Sequence, residues 1–227
     1  IETTYNNINA TSTFYTVGSE AAASQGGAVA VGNNFTLGGA GNVTADADTN
    51  DPVLDVNGNF TVGAGDVFSA SASAAFTIAG NFTNSGTFTP NSGTVTMDAG
   101  ATGKTISGSN FYNLTLNNGS GGWTMSGDNT VSNNLTITLG AVTGTTGNLT
   151  VGGNFTNSGT FTHNSGTVTF TGSAPTISGS ITFYNFTAAT AGQTISFDDN
   201  DALLFSHFFG RFYFNCLFSF MPAFSAD

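Results

Sequence analysis

Eleven asparagines stand in the pattern Asn-x-Ser/Thr, which is the acceptor sequence for N-linked glycans. They are Asn9, Asn34, Asn42, Asn59, Asn81, Asn113, Asn118, Asn134, Asn148, Asn154 and Asn185. Eight of them begin the tripeptide Asn-(Phe/Leu)-Thr, whose Asn and Thr would share one face of a strand. Outward-facing pairs would accept N-linked sugars, and the many hydroxyls allow O-linked ones. Asparagines at equivalent corners of stacked coils would instead form hydrogen-bonded ladders. Both interpretations stay open.

Two acidic segments could bind a cation, because alternating carboxylate and amide oxygens suit Ca²⁺. The candidate ligands are Asp46, Asp48, Asn50, Asp51, Asp198, Asp199 and Asp201. The first segment lacks the glycine and the final acid of the helix-loop-helix calcium loop. A solvated acidic turn is the simpler interpretation, and calcium is the one cofactor that the sequence suggests.

Residues suited to catalysis are scarce, although some parallel β-helices cleave polysaccharides. Such enzymes need clustered carboxylates with Lys, Arg or His. The repetitive part of the chain holds one lysine, Lys104, and one histidine, His163. His163 stands where a sister repeat has Pro90, which indicates a surface corner. We therefore expect no enzyme and no catalytic residues.

A long repeat organises these residues. The block Gly80-Asn-Phe-Thr-Asn-Ser-Gly-Thr-Phe-Thr-Pro-Asn-Ser-Gly-Thr-Val-Thr96 returns at Gly153–Thr169 with a single change. Thr105-Ile-Ser-Gly108 likewise returns as Thr176-Ile-Ser-Gly179. Apart from the copy at Asn148, the tripeptide Asn-(Phe/Leu)-Thr recurs at spacings of 25, 22, 32, 21, 20 and 31 residues. A period of this length is typical of solenoids.

Alternating runs between the repeats predict half-buried strands. Gly93-Thr-Val-Thr-Met97 and Leu135-Thr-Ile-Thr-Leu139 place apolar residues on one face and threonines on the other. Glycine steps between the runs permit the positive φ that sharp corners need. Strand, corner and return every 20–30 residues favour an all-β parallel solenoid. A β-sandwich of hairpins is the alternative.

Composition excludes several classes of protein. The 227 residues include 37 Thr, 31 Gly and 26 Asn, but only 2 Lys+Arg against 13 Asp+Glu. A net charge of −11 leaves nothing to neutralise phosphates, so nucleic acid is an improbable partner. Cys216 is the only cysteine, which excludes an intrachain disulfide and a cysteine-rich metal site. The chain begins at Ile1 without Met or a basic leader, as expected for a processed secreted chain or a fragment.

The repeated blocks resemble those of bacterial surface proteins of the filamentous-haemagglutinin and autotransporter-adhesin type. The resemblance covers about residues 31–197 and rests on the Gly-Asn-Phe-Thr-Asn-Ser-Gly block, Thr-Ile-Ser-Gly and Phe-Tyr-Asn. It implies a right-handed parallel β-helix at the cell surface. It implies no particular site residue.

Both ends differ from the repeats. Residues 1–30 read as an arm or capping turn, residues 31–197 as the solenoid, and residues 198–227 as a Phe-rich tail that caps or assembles. Arg211, His207 and Asn215 make a membrane span costly within the tail. The tail's candidate assembly residues are Phe205, Phe208, Phe209, Phe212, Phe214, Phe218 and Phe220.

These features together predict a secreted structural protein, the subunit of an extracellular fibre whose main partners are copies of itself. The alternative is a monomeric adhesin that binds carbohydrate or a cell surface, with exposed Trp123 or tyrosines as stacking platforms; a corner plug is the other interpretation of Trp123. A polysaccharide-active enzyme is less favoured. Ice binding is also less favoured, because Thr-x-Thr runs between loops of varying length predict an irregular lattice.

Overall fold

The computed structural model describes residues 28–38, 42–49 and 51–198, and beyond them the strand segments 2–5, 8–10, 15–16, 203–205 and 217–219. Every regular element in these residues is a strand, and every strand pair is parallel. The strands stack as a β-solenoid of about eight turns. The predicted all-β solenoid is therefore confirmed, and the β-sandwich alternative is wrong.

Each turn, or coil, carries three strands, and strands of successive coils stack into three faces. Face 1 consists of β1 (Glu2–Tyr5), β4 (Ala28–Val31), β7 (Val53–Val56), β10 (Phe76–Ile78), β13 (Thr94–Met97), the first part of β16 (Asn113–Ser126), the first part of β18 (Leu135–Thr143), β20 (Phe155–Asn157), β23 (Thr176–Ser178), β26 (Thr194–Phe197) and β28 (Leu217–Ser219).

Face 2 follows face 1 in each coil. It consists of β2 (Ile8–Ala10), β5 (Phe35–Leu37), β8 (Phe60–Val62), β11 (Phe82–Asn84), β14 (Lys104–Ser107), the second parts of β16 and β18, β21 (Thr160–Thr162), β24 (Ile181–Phe183) and β27 (Leu203–Phe205).

Face 3 closes each coil. It consists of β3 (Tyr15–Thr16), β6 (Thr44–Asp46), β9 (Val67–Ser69), β12 (Thr87–Thr89), β15 (Asn110–Phe111), β17 (Asn129–Val131), β19 (Asn148–Val151), β22 (Thr167–Phe170) and β25 (Asn185–Ala188). Coil 1 is thus β4–β6, and coil 8 is β23–β25.

Alternation along the strands builds one continuous core. Val95 and Met97 are buried in β13, while Thr96 between them faces outward. Coils 1–3 stack phenylalanines on one another, with ring centroids of Phe35 and Phe60 at 5.0 Å and of Phe60 and Phe82 at 5.5 Å. Coils 5 and 6 fill the same space mostly with Leu, Ile and Val. Burial of these side chains is the main stabilising contribution.

The motif Asn-(Phe/Leu)-Thr does not keep to one face. It lies on face 2 in coils 1–3 and on face 1 in coils 5–7. The copies at Leu149 and Phe186 lie on face 3. The motif therefore does not mark one fixed position in the coil. The two long spacings, 32 and 31 residues, are the places where it moves to another face.

Insertions are absorbed at corners without breaking the stack. β16 and β18 each run through a corner, and their pairing shifts register between Leu116 and Gly122 and is regular again from Gly122. Strands also occur in both terminal segments, where β1 pairs with β4 and β28 pairs with β26. The division into arm, solenoid and tail stays a prediction.

Candidate functional site

Asparagine side chains tie coils 1–4 together along one corner. The Oδ1 atom of Asn34 accepts the backbone N–H of Asn59 at 2.8 Å, and Asn59 accepts that of Asn81 at 2.9 Å. Asn81 accepts the N–H of Thr105 at 2.9 Å, although the motif is absent from that coil. Each bond satisfies a donor that the strand ladder leaves open at the corner.

A second run of the same ties begins where the motif has moved to face 1. Asn113 accepts the N–H of Asn134 at 3.2 Å, and Asn134 accepts that of Asn154 at 2.9 Å. Asn154 accepts the N–H of Thr176 at 2.8 Å. We call the two runs together the asparagine ladder. The hydrogen-bonded ladder, one of the two interpretations of these asparagines, is therefore present in the structure.

The ladder does not decide glycosylation, since it uses Oδ1 and a glycan would be attached at Nδ2. The other candidates differ in how far Nδ2 is engaged. Asn118 donates from Nδ2 to the carbonyl of Asp98 at 2.9 Å, and Asn148 donates to the hydroxyl of Thr150 at 3.0 Å. Asn42 and Asn185 are exposed. Asn9 lies in β2, and its side chain is outside the described residues. Glycosylation stays a prediction.

The first acidic segment forms a closed turn. The carboxylate of Asp46 accepts hydrogen bonds from the N–H of Asp48 and from the hydroxyl of Thr49. Partial burial alone would raise the pKa of Asp46, but these bonds outweigh burial and lower the pKa. Asp51 accepts the hydroxyl of Ser71 at 2.6 Å, and this bond lowers its pKa.

No calcium site is assembled in the described residues, where no three or more His, Cys, Asp or Glu side chains cluster suitably for a metal. Asp48 and Asp198 are exposed there. Asn50, Asp199 and Asp201 lie outside the described residues. Calcium binding stays a prediction.

His163 occupies a turn, as predicted from its exchange with Pro90. Its Nδ1 accepts the N–H of Ser165 at 3.1 Å, and its ring centroid lies 5.4 Å from that of Tyr184. Lys104 begins β14 on another corner. The structure thus does not bring the two basic residues of the repeats to one place.

Trp123 is buried in coil 5 with 2% of its surface exposed, so it cannot serve as an exposed platform. That prediction is wrong, and the corner-plug interpretation fits. Methyl groups added to Gly121 or Gly140 would collide with the indole ring, so both glycines make room for it. The sequence carried the signal, because Trp123-Thr-Met125 alternates as the other inward-facing runs do.

Threonines of face 1 form a row that sequence reasoning missed. Thr77, Thr96, Thr115, Thr136 and Thr156 are partners in consecutive coils. We call this row the threonine ladder. Asp55 precedes it and Ser178 follows it in the same register. The expectation of an irregular lattice is therefore wrong for face 1, since loops of different length leave the strands aligned.

An open groove of about 350 Å³ lies at the corner between faces 2 and 3 in coils 3–5. Its lining is polar and comes from Asn84, Gly86, Thr87, Phe88, Gly108, Ser109, Asn110 and Asp128. Asp128 accepts the N–H of Asn148 through Oδ1, and Asn84 donates from Nδ2 to the hydroxyl of Ser109. Asn110 is exposed at the rim.

Most of the assembly residues predicted in the tail lie outside the described residues. Phe205 lies in β27 and Phe218 in β28, whereas Phe208, Phe209, Phe212, Phe214 and Phe220 lie outside the described residues. The described segments include no helix with the length and apolar character needed to cross a bilayer.

Comparison with protein-family models, curated proteins and solved structures gives no match.

Proposed function

We propose that the chain is a structural segment of an extracellular fibre and assembles head to tail through its terminal segments. The observation that carries the proposal is the pairing of face 1. Each strand of face 1 pairs in parallel with the strand of the next coil, from β1 near one end of the chain to β28 near the other. Such a stack has no built-in limit, because each added coil meets the same hydrogen-bonding edge.

The side chains support the same role. The asparagine ladder repeats one hydrogen bond between coils, and the core continues from Val29 to Ile195. Rigid elements of this kind suit a spacer or rod. Between residues 76 and 197 only Asp98, Lys104 and Asp128 carry formal charge. Few charges keep such a surface in solution, so we expect neighbouring subunits or attached glycans to cover it.

Electron microscopy and light scattering on the purified chain test the proposal. We expect filaments from the full chain, and short particles from a chain that lacks residues 202–227. Phe218→Pro removes a backbone donor from β28 and is expected to shorten the filaments, while Phe218→Leu keeps the donor and is the control. Circular dichroism of each variant checks that the solenoid still forms.

Two results would reject this fibre. One is a full chain that stays a 23.0 kDa monomer at every concentration tested. The other is filaments of normal length from the truncated chain, since assembly would then not use the tail.

The groove favours a second candidate, a module that binds neutral carbohydrate. Amide, hydroxyl and carboxylate groups from three coils meet there, and these are groups that bond sugar hydroxyls. Calorimetry against a panel of neutral oligosaccharides tests it. Asn110→Ala and Asp128→Asn are expected to weaken any binding, and Asn185→Ala on another corner is the control. Absence of binding at millimolar sugar would eliminate this candidate.

A further inference from the structure

The threonine ladder is the longest row of register-paired threonines in the described strands; the row on face 2, Thr105, Thr124, Thr143 and Thr162, has four members. The hydroxyls of Thr96, Thr115 and Thr136 make no hydrogen bond to any described residue, whereas Thr77 donates to Asp55 and Thr156 accepts from Ser178. On face 3 Thr169 donates to Asn148, which donates to Thr150. Face 1 therefore presents a row of available donors and acceptors.

The row is also rigid and periodic. Its five members are held in register by four consecutive parallel pairs, and neighbouring strands lie about 4.8 Å apart. Threonine is stiff at χ1 because it is branched at Cβ. Each member offers one methyl and one hydroxyl, so apolar and hydrogen-bonding groups repeat together along the solenoid axis.

The face excludes several kinds of partner. Its strands carry no charged residue from Thr77 to Ser178, so charged surfaces gain nothing there. Its outward positions in the described strands hold no aromatic ring for stacking on sugars. The five strands that carry the threonine ladder present a surface of about 250 Å² at these strand spacings. A stable protein partner needs about 800 Å² on each side.

From this geometry we propose that the threonine ladder binds the surface of ice. Ordered water is a neutral lattice whose molecules both donate and accept, as the threonine hydroxyls do. A rigid row with a short repeat can match such a lattice at several points at once. The small area suffices because ice growing around the bound molecule prevents its release. The proposal is independent of fibre assembly, since the ladder is complete within one chain.

The test measures inhibition of ice recrystallisation by the full chain and its variants. Thr115→Lys and Thr136→Lys place a long charged side chain in the middle of the row. Asn185→Lys introduces the same charged side chain at an exposed position on face 3 that belongs to no row of threonines. Thermal unfolding of all three variants verifies that the solenoid is intact.

We expect the unaltered chain to stop recrystallisation, and the face 1 variants to need at least about tenfold more protein. Asn185→Lys should act as the unaltered chain does. The proposal is overturned if the unaltered chain is inactive or if Asn185→Lys loses as much activity as Thr115→Lys. It is also overturned if the face 1 variants instead lose self-association or adsorption to a crystalline polysaccharide, because the face would then serve that partner.

Discussion

The two copies of the long repeat, Gly80–Thr96 and Gly153–Thr169, have the same internal geometry but occupy different faces. Phe82 and Phe88 meet edge to face at 5.1 Å and 87°, and Phe155 and Phe161 meet at 5.2 Å and 89°. The first copy runs through faces 2, 3 and 1, whereas the second runs through faces 1, 2 and 3.

The first asparagine of the block also makes the same tie to the next coil in both copies. Asn81 and Asn154 accept the backbone N–H groups of Thr105 and Thr176 at 2.9 and 2.8 Å. The block therefore specifies strand, corner and strand. It does not specify a face; the register of the neighbouring coils does.

The largest difference expected between the copies lies in the core. Phe82 and Phe155 are both fully buried, and truncation of either to alanine should cost about 3–5 kcal/mol. Phe82 contacts the rings of Phe60, Phe88 and Phe111 at 5.0–5.5 Å. Phe155 has fewer close rings, so Phe82→Ala should cost about 0.5–1.5 kcal/mol more. Urea unfolding of both variants measures this, and equal losses would mean that the aromatic stack adds nothing.

Glycines of the block should behave alike in the two copies. A methyl group at Gly93 would meet the carbonyl oxygen of Ser71, and one at Gly166 would meet that of Thr145. We expect Gly93→Ala and Gly166→Ala each to lower the free energy of unfolding by about 1–3 kcal/mol. Gly119 has open space around it, so Gly119→Ala serves as the control. A loss in only one copy would contradict their equivalence.

The asparagine ties should contribute equally as well. Asn81→Ala and Asn154→Ala each leave a backbone donor without its acceptor, at a cost of about 1 kcal/mol. Asn185→Ala, at an exposed site, should change stability by less than about 0.5 kcal/mol. Thermal or urea unfolding compares the three variants. Ladder variants no worse than Asn185→Ala would show that solvent replaces the ties.

The smallest effect concerns Asp98, which lies two residues after the first copy, where Thr171 lies two residues after the second. Burial, and then the charge of Asp55, raise the pKa of Asp98, and its Oδ1 has no hydrogen-bond partner in the described residues. Ionised Asp98 therefore destabilises the fold at neutral pH, and this cost disappears as the pH falls towards the ordinary pKa of 3.8.

Asp98→Asn should accordingly stabilise the protein by less than about 1 kcal/mol at neutral pH, since the group is only half-buried. The gain should shrink in acid, where Asp98 of the unaltered chain is protonated. Asp46 and Asp51 act in the opposite sense, because their lowered pKa values contribute stability that is lost as the pH falls below 3.8. Urea titrations of both proteins across this range test the signs, and a gain that persists unchanged in acid would contradict them.

Much of the fold was predictable because alternation is a local property. The run Thr94-Val-Thr-Met97 indicates which side chains enter the core, and the near-identical blocks indicate stacking. The three faces were not predictable in this way. A strand of Asn-Phe-Thr looks the same on any face, and its assignment depends on which strands lie one coil before and after.

The functional surfaces also differ in how far the sequence predicts them. The asparagine ladder was one of two alternatives that the sequence left open, since it needs only equivalent corners. The threonine ladder depends on register between Thr115 and Thr136, which lie 21 residues apart across loops that differ in length from coil to coil. The groove depends on three coils meeting at one corner, a tertiary feature with no local signal.

Disulfide trapping at Thr156 tests the central claim, the change of face between the copies, most directly. Two variants are made in a Cys216→Ser background. One combines Thr136→Cys with Thr156→Cys, and the other combines Thr143→Cys with Thr156→Cys. The structure pairs Thr156 with Thr136 on face 1 and Thr143 with Thr162 on face 2. Adjacent strands lie within the range of Cα distances that disulfides span. We predict that only Thr136→Cys with Thr156→Cys oxidises within a monomer. Bonding of the Thr143 pair in its place would put the second copy on face 2 and contradict the account.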